Sequence, residues 1–164
     1  ITLLVWNVQG TGNKHKINAI KEVVRMFKPT VLVLVETHMG GEHAVKLGSI
    51  IGYKGHSRVN AVGFSDGIWI YWYPDIISIN PITEHQQYIT IEVARNGELP
   101  RFFSAVYAST DPANRRELWH KLEQFARTNN HPWMLAGDFN KTRSLDERHG
   151  GDHNMARRCE KFNN

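Results

Sequence analysis

Two continuous apolar runs, Val31-Leu32-Val33-Leu34-Val35 and Trp133-Met134-Leu135-Ala136, set the pattern of this chain. Each is too short for most helices and lacks polar alternation, which is how strands covered on both faces read. Thr2 to Asn7 reads as a similar opening strand, followed by the turn signal Gln9-Gly10-Thr11-Gly12. From about Asn13 to Lys28 the period changes. Ile17, Ile20, Val23, Val24 and Phe27 recur at three- and four-residue spacing between Lys14, Lys16, Lys21 and Glu22, which predicts an amphipathic helix closed by Pro29. With Val31 to Glu36 as the next strand, the first third reads strand, helix, strand.

A short helix is expected near Glu42 to Leu47, after which the pattern turns to β. Gly67 to Tyr73, Ile76 to Ile79, Gln87 to Ala94 and Phe102 to Ala108 are rich in Ile, Val, Tyr, Phe and Trp, and Tyr73-Pro74-Asp75 and Arg95-Asn96-Gly97 punctuate them. Asp111-Pro112 announces a further helix, an N-cap residue followed by proline at the first helical position. Its expected core face is Leu118, Trp119, Leu122, Phe125 and Ala126, and Thr128-Asn129-Asn130 ends it. Trp133 to Asp138 follows as a strand, and beyond Asn140 the sequence is polar with no further strand signal. Helices before and after a run of strands imply a layered α/β or α+β protein whose two sheets could pack face to face.

Composition narrows this picture further. The 164 residues hold no linker, repeat or charge block, so one soluble domain, or part of one, is expected. Five Trp, seven Phe and five Tyr within 41% hydrophobic residues suffice for a substantial core, which argues against disorder. No apolar run is long enough to span a bilayer, so no membrane partner is expected. The chain opens on Ile1 with no leader, which suggests a trimmed N-terminus and leaves localisation open. The single cysteine, Cys159, forms no internal disulfide and favours a reducing compartment. A formal charge of +4 and a pI near 9.3 favour polyanionic partners, although many basic domains bind no nucleic acid.

Several strands end in polar side chains: Asn7, Glu36, Tyr107 with Ser109, and Asp138 with Asn140. We expect these ends to converge on one edge, the place where active sites gather. Glu36 fits the carboxylate that a hard cation such as Mg²⁺ requires, or it marks the chain's return to solvent. His38 beside it could suggest zinc, which the lack of an HxxxH pair or a cysteine partner disfavours. In Gly137-Asp138-Phe139-Asn140, Asp138 could orient a water and Asn140 could donate to a phosphoryl oxygen; turn formation explains the same residues. Tyr107 could present its phenol to phosphate or bond it to backbone. Lys14, with its helix neighbours, and Arg115 and Arg116 could contact nucleic-acid phosphates or form solvated faces. His149 and His153 read as loop residues beside Gly150-Gly151.

The motifs W-N-x-x-G, E-T at a strand end, S-D-G-I-W-I-Y-W, V-Y-A-S and W-M-L-A-G-D-F-N, in this order, resemble the endonuclease/exonuclease/phosphatase family. More narrowly they resemble the endonuclease domain of plant non-LTR (LINE-type) retrotransposons. Arg116-Glu117-Leu118-Trp119 and Asp146-Glu147-Arg148-His149-Gly150-Gly151 add to the likeness, which spans the whole chain. The resemblance implies a four-layer αββα sandwich. It implies that Glu36 is the principal ligand of Mg²⁺, or of Mn²⁺, with Asn7 beside the metal and the scissile phosphate. It implies that Tyr107 contacts phosphate, Asp138 positions the attacking water and Asn140 binds the phosphoryl group. The implied reaction is metal-assisted hydrolysis of a phosphodiester: nicking of DNA in the nucleus to prime a reverse transcriptase fused on the C-terminal side.

Gln9 stands where some members carry an acidic residue. The family's terminal Ser-Asp-His is absent, the chain stopping at Lys161-Phe162-Asn163-Asn164. On this reading residues 1–164 are the N-terminal two thirds of the domain, folded marginally and with little catalysis alone. The competing readings are a non-catalytic transposon remnant or nucleic-acid-binding domain, and a family member acting on abasic DNA, RNA tails, phosphoinositides or sphingolipid.

Overall fold

The computed structural model describes residues 1–60, 67–95 and 97–141. Ser65, Asp66, Asn96, the Asp146 to Gly151 motif, His153 and Cys159 lie outside the described residues. Along the chain run β1 (Leu3–Asn7), α1 (Lys14–Phe27), β2 (Val31–Val35), α2 (Gly41–Ile51), β3 (Gly55–Val59), β4 (Ile68–Trp72), β5 (Ser78–His85), β6 (Tyr88–Ala94), β7 (Arg101–Tyr107), α3 (Pro112–Thr128) and β8 (Trp133–Asp138). These strands form two four-stranded sheets, ordered β1-β2-β4-β3 and β5-β6-β7-β8. In each sheet one parallel pair is joined by a crossover helix: β1 with β2 through α1, and β7 with β8 through α3. The other pairings are antiparallel.

Three apolar layers explain the order. Val31, Val33 and Val35 of β2 and Ile68, Ile70 and Trp72 of β4 face Ile89, Ile91, Phe103 and Ala105 of the second sheet. The alternate residues Leu32, Leu34, Trp69 and Tyr71 face outward onto Ile20 and Val24 of α1 and Ala44, Leu47 and Ile51 of α2. On the far side Tyr88, Val106 and Ala108 pack on Leu118 and Leu122 of α3. The result is the expected four-layer sandwich, helices outside two facing sheets. Every residue of β2 and β4 is buried, so their continuous apolar runs report two covered faces.

Local signals place most helix ends. The Asn13 side chain accepts from the Lys16 N–H at 2.8 Å, and Lys28 closes α1 in the left-handed region before Pro29. Asp111 caps α3 by accepting from the Asn114 N–H at 3.0 Å, with Pro112 at the first position. Tyr73-Pro74-Asp75 forms the expected turn, the Ile76 and Ile77 N–H groups donating to the Tyr73 carbonyl.

Several expectations are corrected. β3, with sequence Gly-His-Ser-Arg-Val, carries no strand signal in the sequence; it is an edge strand with only Gly55 and Ser57 buried, so its composition stays polar. The strand expected at Ile76 to Ile79 instead runs Ser78–His85, with Pro81 tolerated because β5 is an edge strand that bulges there. α2 is longer than expected and ends at Gly52, whose φ of +86° suits glycine. Phe27, Trp119 and Ala126 are exposed rather than core, because each helix buries a stripe narrower than its apolar pattern. Trp119 stacks on Phe139 at 5.9 Å between ring centroids.

Candidate active site

The parallel pairs decide where the chemistry collects. Parallel strands carry their C-terminal ends to the same rim, so Asn7 finishes beside Val35 and Glu36, and Tyr107 finishes in register with Asp138. The two sheets bring these rims together. The Asn7 Nδ2 donates to Glu36 Oε2 at 2.7 Å and to Asp138 Oδ2 at 2.8 Å, a hydrogen-bonded bridge between carboxylates from opposite sheets. All three residues are partly buried, which strengthens the charge-assisted bonds while leaving a ligand access.

The orientation of Asn7 is set by its own turn. Its Oδ1 accepts from the Gln9 N–H at 3.1 Å, so nitrogen rather than oxygen faces the carboxylates. Asn7 thus bridges the two acids through its nitrogen, beside the expected metal carboxylate Glu36.

Asp138 is held on both oxygens, since Oδ1 accepts from the Asn140 N–H at 2.8 Å. The Asn140 Nδ2 donates to the Ala108 carbonyl at 2.7 Å, and the Ala108 N–H donates to the Asp138 carbonyl at 2.8 Å. Asn140 has φ +48° and Glu36 has φ +59°, left-handed values that non-glycine residues hold only where their surroundings impose them. At Glu36 the imposing group is the β1 exit. Gly10 N–H donates to the Glu36 carbonyl at 2.7 Å, and Thr11 donates its N–H and its hydroxyl to the Thr37 carbonyl, both at 3.0 Å.

Two residues that motif reasoning does not single out for this role brace the second rim. Buried Gln87 accepts from the Ser109 N–H at 2.7 Å, donates to the Asn114 carbonyl at 2.8 Å, and takes the Tyr107 N–H on its own carbonyl. A Gln next to a tight turn carries no sequence signal for this. Arg115, expected at a phosphate, donates through Nη1 to the carbonyls of Ser109 (2.7 Å), Thr110 (3.3 Å) and Asn140 (3.5 Å). It ties the β7 and β8 exits together. Lys14 and Arg116 are exposed and make no hydrogen bond or ion pair among the described residues, which suits a phosphate contact. Arg115→Ala should therefore lower stability by about 1–3 kcal/mol, having removed a charged donor from carbonyls. Arg116→Ala, which removes an exposed side chain with no hydrogen bond or ion pair among the described residues, should leave stability alone. Urea melts separate the two; equal midpoints would remove Arg115 from the brace.

His85, beside Gln87, adds a pH dependence. Its Nδ1 accepts from the Gln87 N–H at 3.2 Å, and its Nε2 lies 3.7 Å from Glu117. Burial lowers its pKa below the ordinary 6.5, against an opposing pull from Glu117. The unfolded chain then binds the proton more readily, so stability is full above about pH 6.5 and falls as pH drops through the folded-state value. His85→Asn should flatten that part of the curve; urea midpoints at pH 7.5 and 5.5 that fall equally in both proteins would exclude His85 as its source.

Among the described residues no three His, Cys, Asp or Glu side chains gather into a metal-binding group. The donor set at the rim is thus small and oxygen-rich: the Glu36 carboxylate, with Asp138 across the Asn7 bridge. Such a set fits Mg²⁺, which keeps most of its waters and takes one or two carboxylates plus substrate phosphate. No helix of the described residues is long and apolar enough to cross a membrane.

Comparison with known proteins agrees with this architecture. The humanized D. rerio TDP2 carrying 14 mutations matches with a TM-score of 0.67 at 13% identity, over 87% of this chain and 67% of that one. The AP endonuclease LMAP from Leishmania major matches at 0.64 and 16%, over 96% and 61%. The endonuclease domain of TRAS1, a telomere-specific non-LTR retrotransposon, matches at 0.63 and 10%, over 98% and 70%. At these identities the likeness establishes the fold, and the chain spans roughly two thirds of each of these structures. No curated protein matches the sequence. The endonuclease/exonuclease/phosphatase family, whose members are hydrolytic nucleases and phosphatases, matches residues 4–158. With nearly the whole chain matched and the expected strand ends meeting at one rim, the protein belongs to the endonuclease/exonuclease/phosphatase family.

Proposed function

We propose that this chain is the catalytic domain, or its N-terminal part, of a divalent-metal-dependent DNA endonuclease of the non-LTR retrotransposon type. The observation that carries the reading is the Asn7 bridge, which holds Glu36 and Asp138 from opposite sheets within one hydrogen-bonded unit. Glu36 would hold the cation, Mg²⁺ or Mn²⁺, which when bound supplies a Lewis acid for the phosphate and neutralises developing charge. Asp138 has both oxygens aligned by Asn7 and Asn140, so it presents a fixed acceptor for the proton of an attacking water. The second Nδ2 hydrogen of Asn140 and the Tyr107 phenol would donate to phosphoryl oxygens, and Lys14 and Arg116 are cations for the flanking backbone. The retrotransposon assignment is supported by the motif order and by the likeness to the TRAS1 endonuclease domain. Fusion to a reverse transcriptase and action on nuclear DNA follow from it.

The protein, expressed with whatever sequence its gene places around these residues, should convert supercoiled plasmid to open circles with Mg²⁺. Glu36→Ala should cut the rate by at least about 100-fold, the scale for a lost electrostatic stabiliser. Nicking that survives Glu36→Ala would overturn the metal role. Intact plasmid alongside hydrolysis of a phosphoinositide or an RNA tail would overturn the substrate.

A further inference from the structure

Glu36 has a neighbour of different chemistry. His38, two residues on, also adopts a left-handed backbone, φ +57°, and its Nε2 lies 3.4 Å from Glu36 Oε1. The other carboxylate oxygen, Oε2, is the one that accepts from Asn7. The two oxygens therefore face different partners: an amide bridging toward Asp138, and an imidazole.

This placement is built by the surrounding loop. The same Gly10 and Thr11 bonds that hold the Glu36 and Thr37 carbonyls fix the segment between the two side chains, and Thr37 is fully buried. Gly10 itself, at φ +90°, runs under the His38 ring, a β-carbon there falling 3.9 Å from Nδ1. A charge-assisted N–H···O bond closes to about 2.7–2.9 Å. At 3.4 Å the two groups form a long ion pair, and one cation held at about 2.1 Å from each donor spans the same separation.

We propose that His38 Nε2 is a second ligand at the cation site, forming a mixed nitrogen and oxygen donor pair with Glu36. The pair turns the site's preference from Mg²⁺ toward a first-row transition cation such as Mn²⁺. This rests on the reading of Glu36 as the metal carboxylate. Mg²⁺ is a hard ion that selects oxygen, whereas imidazole is a softer donor that transition cations accept, so a nitrogen ligand discriminates between the two ions.

The test is Mn²⁺ titrated into the protein, with free ion read by electron paramagnetic resonance, bound ion by its nitrogen modulation, and Mg²⁺ by competition. The native protein should bind Mn²⁺ at least about tenfold more tightly than Mg²⁺, with imidazole-nitrogen modulation on the bound ion. His38→Gln should remove the modulation and weaken Mn²⁺ about tenfold while Mg²⁺ stays within about twofold. His38→Asn supplies the same comparison where the Gln variant fails to fold. Glu36→Gln should weaken both ions. Mn²⁺ affinity and modulation unchanged by loss of His38, with Glu36→Gln still weakening both ions, would remove His38 from the site and leave Glu36 standing. Indifference of both ions to Glu36→Gln would overturn both readings.

Discussion

Gly137→Ala should cost more than about 3 kcal/mol and detach β8 from its sheet, a large fraction of a domain's stability. Gly137 pairs in register with Val106 and has φ +151°. A β-carbon at this position would penetrate the Val106 carbonyl oxygen and stand 2.7 Å from the carbonyl carbon and 2.8 Å from the amide nitrogen. These are backbone atoms of β7, an inner strand of the order β5-β6-β7-β8 whose Val106 is fully buried, so no side-chain rotation relieves the overlap. The cost has two parts, a disfavoured backbone conformation of roughly 1–3 kcal/mol and the separation of β8 from β7. Asp138 follows directly, so the variant should also lose the Asn7 bridge.

Gly52→Ala is the control. Gly52 has φ +86°, but among the described residues no atom lies within 4 Å of the place its new methyl would take, and the substitution should cost only about 1 kcal/mol. Equal urea midpoints for the two variants would refute the steric argument.

Asn7→Asp should be nearly as damaging and should respond to divalent cations in the opposite sense. It replaces the amide that donates to Glu36 and Asp138 at 2.7 and 2.8 Å with a third carboxylate facing two others. Like charges at such distances cannot all stay ionised, so one acid must take up a proton or the rims must separate. A destabilisation of about 3 kcal/mol is expected, the scale for an uncompensated charge in a partly buried pair. Added Mn²⁺ should raise the melting temperature of Asn7→Asp more than that of the native protein, because the cation neutralises the new charge and binding to the folded state stabilises it. Asn7→Ala, which removes the bridge without adding charge, should be destabilised with no such excess response. A metal response of Asn7→Asp no larger than the native one would show that the three side chains do not share one electrostatic site.

How much of this is legible in the sequence depends on which physical signal each part leaves. β2 and β4 are legible because burial on both faces leaves a continuous apolar run, and α1 and α3 because Asn13, Asp111 and Pro112 announce their starts. β3 is not legible: an edge strand buries every other residue at most, and Gly-His-Ser-Arg-Val has no apolar alternation to detect. The exposure of Trp119 is equally hidden, since helical spacing cannot tell a core position from one that stacks on Phe139 in solvent.

The site divides along the same line. Glu36 and Asp138 can be picked out as carboxylates closing apolar strands, and Asn7, Tyr107 and Asn140 as polar strand ends, because those are properties of residue type and position. The turned amide of Asn7 joins residues 29 and 131 positions apart, the Gln87 brace residues 22 and 27 apart, and the Arg115 clamp reaches Asn140 at 25 positions, and no local pattern encodes such pairs. What the sequence by itself determined is the order of the strands and helices apart from β3, the two covered faces of β2 and β4, and the kinds of side chain at each strand exit; the apolar run of β8 is an edge strand with Met134 exposed. What only the tertiary structure decided is which exits meet and which atom of each side chain faces which partner, the His38 Nε2 on Glu36 Oε1 included. Those choices come from sheet pairing and sheet packing, where free energy depends on contacts between segments far apart in the chain rather than on the residues of any one segment.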